Sequence, residues 1–426
     1  MDSSPHEPGQ SKPAFMSRRS RLSIWLAVMG PGLVVMLADT DAGSLITAAQ
    51  SGAQWGYQLL LAQFILIPIL IMAQELTVRL GIVTQRGHGE LIRQRFGKLW
   101  AAIAVVTLVI ACAGAIVSEM SGIAGVGHIW GIPSSVSVAA VVIFLGAVVV
   151  TGSYRRVELI ALSIGLFELV FLIVMVWAKP DVRDVAQGLV KVPLGNPEYL
   201  YLLAANIGAV IMPWMIFYQQ SAVVDKGLTV KHLKHSRWDT VIGAIITQVV
   251  MASVLIAVAA TIGKSDPGEQ LETVEQISHA LTPFLGEFVG QVLFSLGMVG
   301  AALVAAIVVS CTAAWGLGEL TGYKRSLSSS PREAPWFYLV YAAVLVVGAV
   351  ITLSGVNLID LNVGVQVMNA LLLPIVLGFL FALSIKTLPE EYRLKGIWMW
   401  AVGVVVVLTA GFGVYAGVFG AFGIGT

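Results

Sequence analysis

Residues 22–49 read LSIWLAVMGPGLVVMLADTDAGSLITAA. The run is long enough to cross the roughly 30 Å of hydrocarbon in a bilayer. It is nevertheless interrupted by Gly30-Pro31-Gly32 near its start and by Ala38-Asp39-Thr40-Asp41-Ala42-Gly43-Ser44 at mid-depth. A carboxylate at the centre of a membrane helix costs on the order of 2.5–3.5 kcal/mol, and Asp39 and Asp41 place two of them within three residues. Side chains that costly face a cavity rather than lipid. Gly43 lowers the helix preference further, so a break over 38–44 is predicted, with carbonyls released beside the carboxylates.

The rest of the chain has the same apolar character. Of 426 residues, 57% are hydrophobic and 12% charged, against about 25% charged in a typical soluble domain. A soluble chain of this length needs charge over its surface, so the shortfall means that most of the outside faces the lipid bilayer. Apolar stretches recur near 22–49, 57–83, 99–127, 134–152, 155–178, 198–224, 238–263, 283–317, 335–355, 358–385 and 395–420. They lack the period-two alternation of a barrel, which predicts an all-α membrane protein with eleven transmembrane helices. Residues 1–21, rich in Ser, Pro and charge, read as a disordered arm rather than a cleaved signal peptide, and 22–420 as a single transmembrane domain. The net charge of +1 gives no reason to expect a nucleic-acid partner. Cys112 and Cys311 lie in apolar runs without CxxC spacing, so buried inert thiols are expected.

Lys and Arg fix the direction of the chain. Arg18, Arg19 and Arg21 precede segment 1; Arg86, Arg93, Arg95 and Lys98 follow segment 2; Arg155 and Arg156 follow segment 4; Lys226, Lys231, Lys234 and Arg237 follow segment 6. With eleven spans all of these fall on one side. The loop after segment 7, with Asp266, Glu269, Glu272 and Glu275 against Lys264, falls on the other. The N-terminus is thus expected in the cytoplasm, the C-terminus outside, and the protein in the cell (inner) membrane.

Segment 6 has its own weak point at Gly208-Ala209-Val210-Ile211-Met212-Pro213. Pro213 lacks the backbone donor that would reach the carbonyl of Ala209, which leaves that acceptor unused. Segments 1 and 6 open two five-helix halves, and interruptions at matching positions of two halves point to a transporter's binding site.

At these residues the chain resembles the NRAMP family of divalent-metal transporters, which carry DPGN in helix 1 and Ala-x-x-Met-Pro-His in helix 6. Gly30-Pro31-Gly32, Gly52-Ala53-Gln54-Trp55-Gly56-Tyr57 and Arg79-Leu80-Gly81-Ile82-Val83-Thr84 extend the likeness. It covers segments 1 to 6 and, in part, segment 10. It implies the leucine-transporter type of fold, two inverted five-helix repeats (22–178 and 198–385) plus an eleventh helix (395–420), working by alternating access. Carried over by position, the metal ligands are Asp41, Ser44 in place of Asn, Met212, Gln366, and the backbone carbonyls of Ala38 and Ala209. Asp39, Thr40, Gly43 and Pro213 are secondary candidates. Asp39 is extra relative to the family, either a further acidic ligand or the cap of the outer half of helix 1.

The chemistry of that donor set stands on its own. A carboxylate, an amide, carbonyls and a hydroxyl make a hard oxygen site, whereas the thioether of Met212 is a soft ligand that magnesium and calcium do not reward. Mn(II) and Fe(II) are the expected ions. Asp41-Ala42-Gly43-Ser44 departs from DPGN, however, and the shorter Ser44 leaves room for a partly hydrated ion, which makes Mg(II) the alternative substrate. The family's two helix 6 histidines fall on Trp214 and Gln219, and its helix 3 Asp on Ile116. Glu119 alone remains to form a short proton relay with Asp41, so weak or absent proton coupling is expected. The polar stretch expected in helix 8 reads Ala301-Ala302-Leu303-Val304-Ala305-Ala306.

Other charges carry less. Glu75 and Arg79 form an (i, i+4) pair, Glu158 is expected to pair with Arg155 and Arg156, and Glu168 lies deep in segment 5 without an assigned role. Two competing readings are weaker. A membrane-embedded enzyme lacks HExxH, GxSxG and GxxxxGK[ST] motifs, and few polar groups are expected to converge outside helices 1, 3, 6 and 10. An amino-acid symporter on the same fold lacks a glycine-rich helix 1 break suited to a substrate carboxylate. No cofactor is expected beyond the metal carried as substrate.

Overall fold

The computed structural model describes residues 30–150, 153–265, 267–281, 286–355 and 357–422. The arm at 1–21, with its three arginines, and Asp266 lie outside them. Among the described residues the chain is helical with no strand. The apolar helices, in order, are α1a (Pro31–Asp39) and α1b (Ala42–Trp55), α2 (Leu60–Thr84), α3 (Lys98–Ile129), α4 (Ser134–Val150), α5a (Tyr154–Gly165) and α5b (Val170–Trp177), α6a (Pro197–Val210) and α6b (Pro213–Asp225), α7 (Leu233–Ala260), α8 (Glu287–Thr321), α9 (Pro335–Thr352), α10 (Leu358–Lys386) and α11 (Gly396–Phe422).

Nine of the described spans are each long and apolar enough to cross a bilayer, and α1a with α1b makes a tenth, bent by 46°. The eleventh apolar helix, α4, has 17 residues and falls at the short end of what crosses a membrane. The two predicted breaks are present. A third was not predicted, because α5a and α5b are joined by a 3₁₀ turn, Leu166–Leu169. A tighter turn inside a long helix marks strain or a hinge.

α1 and α6 occupy the centre, with α6 buried along nearly its whole length. Large apolar side chains such as Ile143, Val350, Val407 and Leu408 point outward, where lipid replaces water as their solvent. α6a and α10 touch backbone to backbone. A Cβ placed on Gly208 would sit 1.8 Å from the carbonyl oxygen of Gln366, so no residue larger than glycine fits there without moving a helix.

The first turn of α1a leaves its amides without helical partners, and one carboxylate satisfies them. Asp239 on α7 accepts from the amides of Gly30 (3.2 Å), Gly32 (2.8 Å) and Leu33 (3.3 Å). A negative group at a helix N-terminus is favoured by the helix dipole as well. At the same end Glu75 pairs with Arg79, as expected, and also with Arg237 at 2.6 Å. Glu158, expected to pair with Arg155 and Arg156, instead forms its ion pair with Lys226 at 2.8 Å. The local arginines point outward, whereas Lys226 at the end of α6b reaches back to the partly enclosed carboxylate. Cys112 and Cys311 are buried and unpaired.

Candidate metal site

The break in α1 is a change of helix, not a kink. α1a ends at Asp39, and Asp41, in extended backbone, caps α1b by accepting the Ser44 amide on Oδ1 at 2.6 Å. The cap expected as one possibility for Asp39 therefore belongs to Asp41. In an unbroken helix the amide of Ala42 would donate to the carbonyl of Ala38. Here it donates to Oε2 of Glu119 on α3 at 3.1 Å, which takes that amide away from Ala38. Glu119 is thus both a neighbour of Asp41 and a partner of a helix end. Its Oε1, like Oδ2 of Asp41, is buried with no hydrogen-bond partner among the described residues.

The break in α6 releases the matching carbonyl. Pro213 opens α6b as its first residue and has no amide to donate. The carbonyl of Ala209 instead accepts the hydroxyl of Ser44 at 3.1 Å. That contact ties the two interruptions together. A chain of short bonds runs from Asp41 through Ser44 to Ala209, all fully or almost fully buried. Met212, the extended residue between the two halves of α6, is wholly buried. Its thioether sulfur accepts the indole Nε1–H of Trp214 at 3.1 Å.

Gln366 closes the site from α10. A Cβ on Gly43 would lie 2.4 Å from its Nε2, so the amide rests directly on the first turn of α1b, and glycine there is what lets it approach. Its Oε1 accepts from Nδ2 of Asn369 at 2.9 Å, while Nε2 has no partner among the described residues. To present oxygen to a cation the amide must turn over, giving up the Asn369 bond.

Asp39 and Thr40 face elsewhere. The Thr40 hydroxyl lies 2.5 Å from that of Thr247 on α7, which in turn donates to Asp39 Oδ2 at 3.5 Å. Polar groups therefore converge outside helices 1, 3, 6 and 10 as well, correcting the expectation that few do. Asp239 and Thr247 do not stand out in the sequence, whereas Glu168 does so only as a carboxylate deep in an apolar segment. The one available signal for Asp239 is an acidic residue at the start of an apolar run, opposite the orphan amides of Gly30-Pro31-Gly32. Gln219, in place of a histidine, donates to Thr240 at 2.9 Å.

Toward the end of the molecule opposite Asp239, a cavity of about 400 Å³ opens between α1b, α6a and α10, lined by Gln50, Gln54, Glu198, Tyr201, Gln270 and Asp360 among others. It begins about 14 Å along α1b from Asp41. Two acidic residues at such a mouth raise the local concentration of cations.

The family pattern described as natural resistance-associated macrophage protein-like, Nramp, matches residues 32–418. A divalent metal cation transporter MntH of Agrobacterium fabrum is 28% identical over 339 residues, covering 76% of this chain and 71% of its own length. A protein of the same name from Bradyrhizobium diazoefficiens is 28% identical over 295 residues, or 65% of this chain and 64% of its own length, just under two thirds. Among solved structures, an Eremococcus coleocola manganese transporter superposes with a TM-score of 0.75 at 21% identity, over 96% of this chain and 90% of that one. A Na+-coupled sialic acid symporter superposes with a TM-score of 0.61 at 13% identity, over 94% and 89% of the two chains. The fold is the leucine-transporter type.

Proposed function

The chain belongs to the Nramp family, and from that premise we propose that it carries divalent metal ions across the membrane in which it is embedded. Alternating exposure of the α1–α6 junction to the two sides moves the ion, and no enzymatic step is involved. The observation that carries the reading is the meeting of two helix breaks at the Ser44–Ala209 contact. It links the buried break that carries Asp41 to the buried break that carries Ala209 and Met212. Relatives bearing the name divalent metal cation transporter support it.

In this reading Asp41 supplies the charge that replaces the ion's water, through its unpartnered Oδ2. Ala38 and Ala209 give carbonyl oxygens, Ser44 a hydroxyl, Gln366 its amide oxygen after rotation, and Met212 the soft donor. Mn(II) and Fe(II) reward that sulfur; Mg(II) does not. Proton coupling is weak, since Trp214 and Gln219 stand where titrating groups would serve and Glu119 alone adjoins Asp41. The basic loops mark the cytoplasmic side, which puts the cavity of Glu198 and Asp360 outside, and the membrane is the inner one.

One observation favours Mg(II) as a second reading. The Met212 sulfur is already engaged by Trp214, and with the thioether held back the remaining donors are all oxygen. Uptake of Mn(II) and of Mg(II) into proteoliposomes enclosing a pH dye separates these readings, with Asp41→Ala as the control. Metal entry without internal acidification is expected. Failure of both ions to enter overturns metal carriage, and acidification in step with the metal overturns weak coupling.

A further inference from the structure

Four carboxylates are buried within electrostatic range of one another in the interior of this protein, without three of them closing on a single point. Asp39, Asp41, Glu119 and Glu168 are each at most 1% exposed, and among the described residues no lysine or arginine is buried with them. One divalent ion at Asp41 balances two of the four charges. An unmatched carboxylate in such surroundings costs several kcal/mol.

Glu168 is the least accounted for. It lies on the 3₁₀ turn that interrupts α5, fully buried, and neither of its carboxylate oxygens has a hydrogen-bond partner among the described residues. The register of α5 against α1a sets where it points. A Cβ on Gly165 would meet the side chain of Leu37 at 2.7 Å, which packs α5 closely on α1a, and Glu168 lies beside Thr40 within range of the charges on Asp39 and Asp41. Asp39 has its own orphan, Oδ1, buried and unpartnered. The hydroxyls of Thr40 and Thr247 stand 2.5 Å apart beside it. Thr247 thus links Thr40 to Asp39, Glu168 lies beside Thr40, and Asp39 and Glu168 carry buried oxygens without a hydrogen-bond partner among the described residues.

We propose that Asp39 and Glu168, with the hydroxyls of Thr40 and Thr247, bind a second cation, separate from the ion held at Asp41 and Met212. The donor set is oxygen throughout, with no sulfur or nitrogen, and so takes a hard ion. Sodium and magnesium share that chemistry. The 3₁₀ turn gives the site a purpose for its cost, since it turns a carboxylate of α5 toward the α1 break.

The test uses the purified full chain, stripped with chelator and held in choline chloride, in equilibrium dialysis against radiolabelled sodium in one arm and radiolabelled magnesium in the other. Asp41→Ala removes the first site. In that variant one ion of at least one kind is expected to remain bound per chain, and adding Glu168→Gln is expected to weaken it by about tenfold or more, roughly 1.4 kcal/mol. Should Glu168→Gln fail to fold, Thr247→Val in the same background keeps both charges, removes one donor and is expected to weaken binding in the same direction. Binding of neither ion by Asp41→Ala, as expected if protons alone neutralise the pair, overturns the proposal. So does binding that survives Glu168→Gln or Thr247→Val unchanged. The outcome is independent of metal carriage, which Mn(II) and Mg(II) uptake by the unaltered protein decides.

Discussion

The indole Nε1–H of Trp214 donates to the thioether sulfur of Met212 at 3.1 Å, with both side chains fully buried. Trp214 is therefore tied to the one soft donor of the proposed site. A hydrogen bond of this kind is worth about 0.5–1.5 kcal/mol, and a metal must compete with it for the sulfur lone pairs. Trp214→Phe keeps an aromatic ring and removes the donor. It is expected to tighten Cd(II) and Mn(II) binding by about two- to tenfold while leaving Mg(II) nearly unchanged, as read by calorimetry on the purified protein. An equal gain for Mg(II) refutes the role given to the sulfur.

Asp41→Asn retains the shape of the cap but removes its charge. Neutralising the carboxylate proposed to offset a buried divalent ion is expected to lower uptake of every metal by about a hundredfold or more. Thermal stability should change little, because the neutral side chain still accepts the Ser44 amide. Retention of uptake within about threefold excludes Asp41 as the charged ligand.

Gly208→Ala is expected to be far worse than its size suggests. The added methyl would stand 1.8 Å from the Gln366 carbonyl oxygen and 2.7 Å from the Ala370 amide nitrogen. Since backbone atoms cannot step aside as a side-chain tip can, a cost at or above the usual 1–3 kcal/mol of overpacking is expected. A clear fall in the melting temperature of the detergent-solubilised protein checks it; an unchanged melt means that α6a and α10 are not in this contact.

Asp239→Asn weakens the carboxylate that gathers the first amides of α1a. Charged acceptors make hydrogen bonds roughly twice as strong as neutral ones, so α1a should separate from α7 more readily. Met36→Cys places a thiol on α1a against Gly243 of α7, and the two native cysteines are buried. Adding Asp239→Asn is expected to speed labelling of that thiol severalfold. Equal rates with and without the substitution mean that Asp239 does not hold α1a to α7.

His88, at the start of the short helix His88–Phe96, gives a pH dependence outside the membrane spans. Burial lowers its pKa to about 4, opposed by the bond from Nδ1 to Gln220 Oε1 at 2.9 Å. Between about 6.5, its unfolded value, and about 4, the unfolded chain binds a proton that the folded chain refuses. Its contribution is therefore full above pH 6.5 and lost as the pH falls toward 4, by an amount on the order of 3 kcal/mol. Melting temperatures at pH 7.5, 5.5 and 4.5 should fall more steeply for the native protein than for His88→Gln. Parallel slopes exclude His88 as the source.

Much of this site was legible in the residues themselves. Gly43 beside two carboxylates announced the break in α1, and Pro213 announced that Ala209 would lose its helical donor, because both rules concern the chain's bonds to itself. What stayed hidden depends on bonds between segments. Nothing local says that Ala209 finds Ser44, that Glu158 prefers Lys226 to the arginines beside it, or that Asp239 caps a helix some two hundred positions earlier. The 3₁₀ turn at Leu166–Leu169 left no mark either, since it contains neither glycine nor proline. The hydrophobic count was the easiest reading, and its weakest member was the short α4.

The close approach at Gly208 also constrains how the protein can move. At Gly208 no side chain separates α6a from α10, so at this crossing the two helices have no cushion over which to slide and tilting one must swing the other. The α10 residue at the crossing is Gln366, whose amide rests on Gly43. Any rocking of α6a therefore drags that amide across the first turn of α1b, where the proposed ion would sit, and opening a path and loosening the grip become one mechanical act.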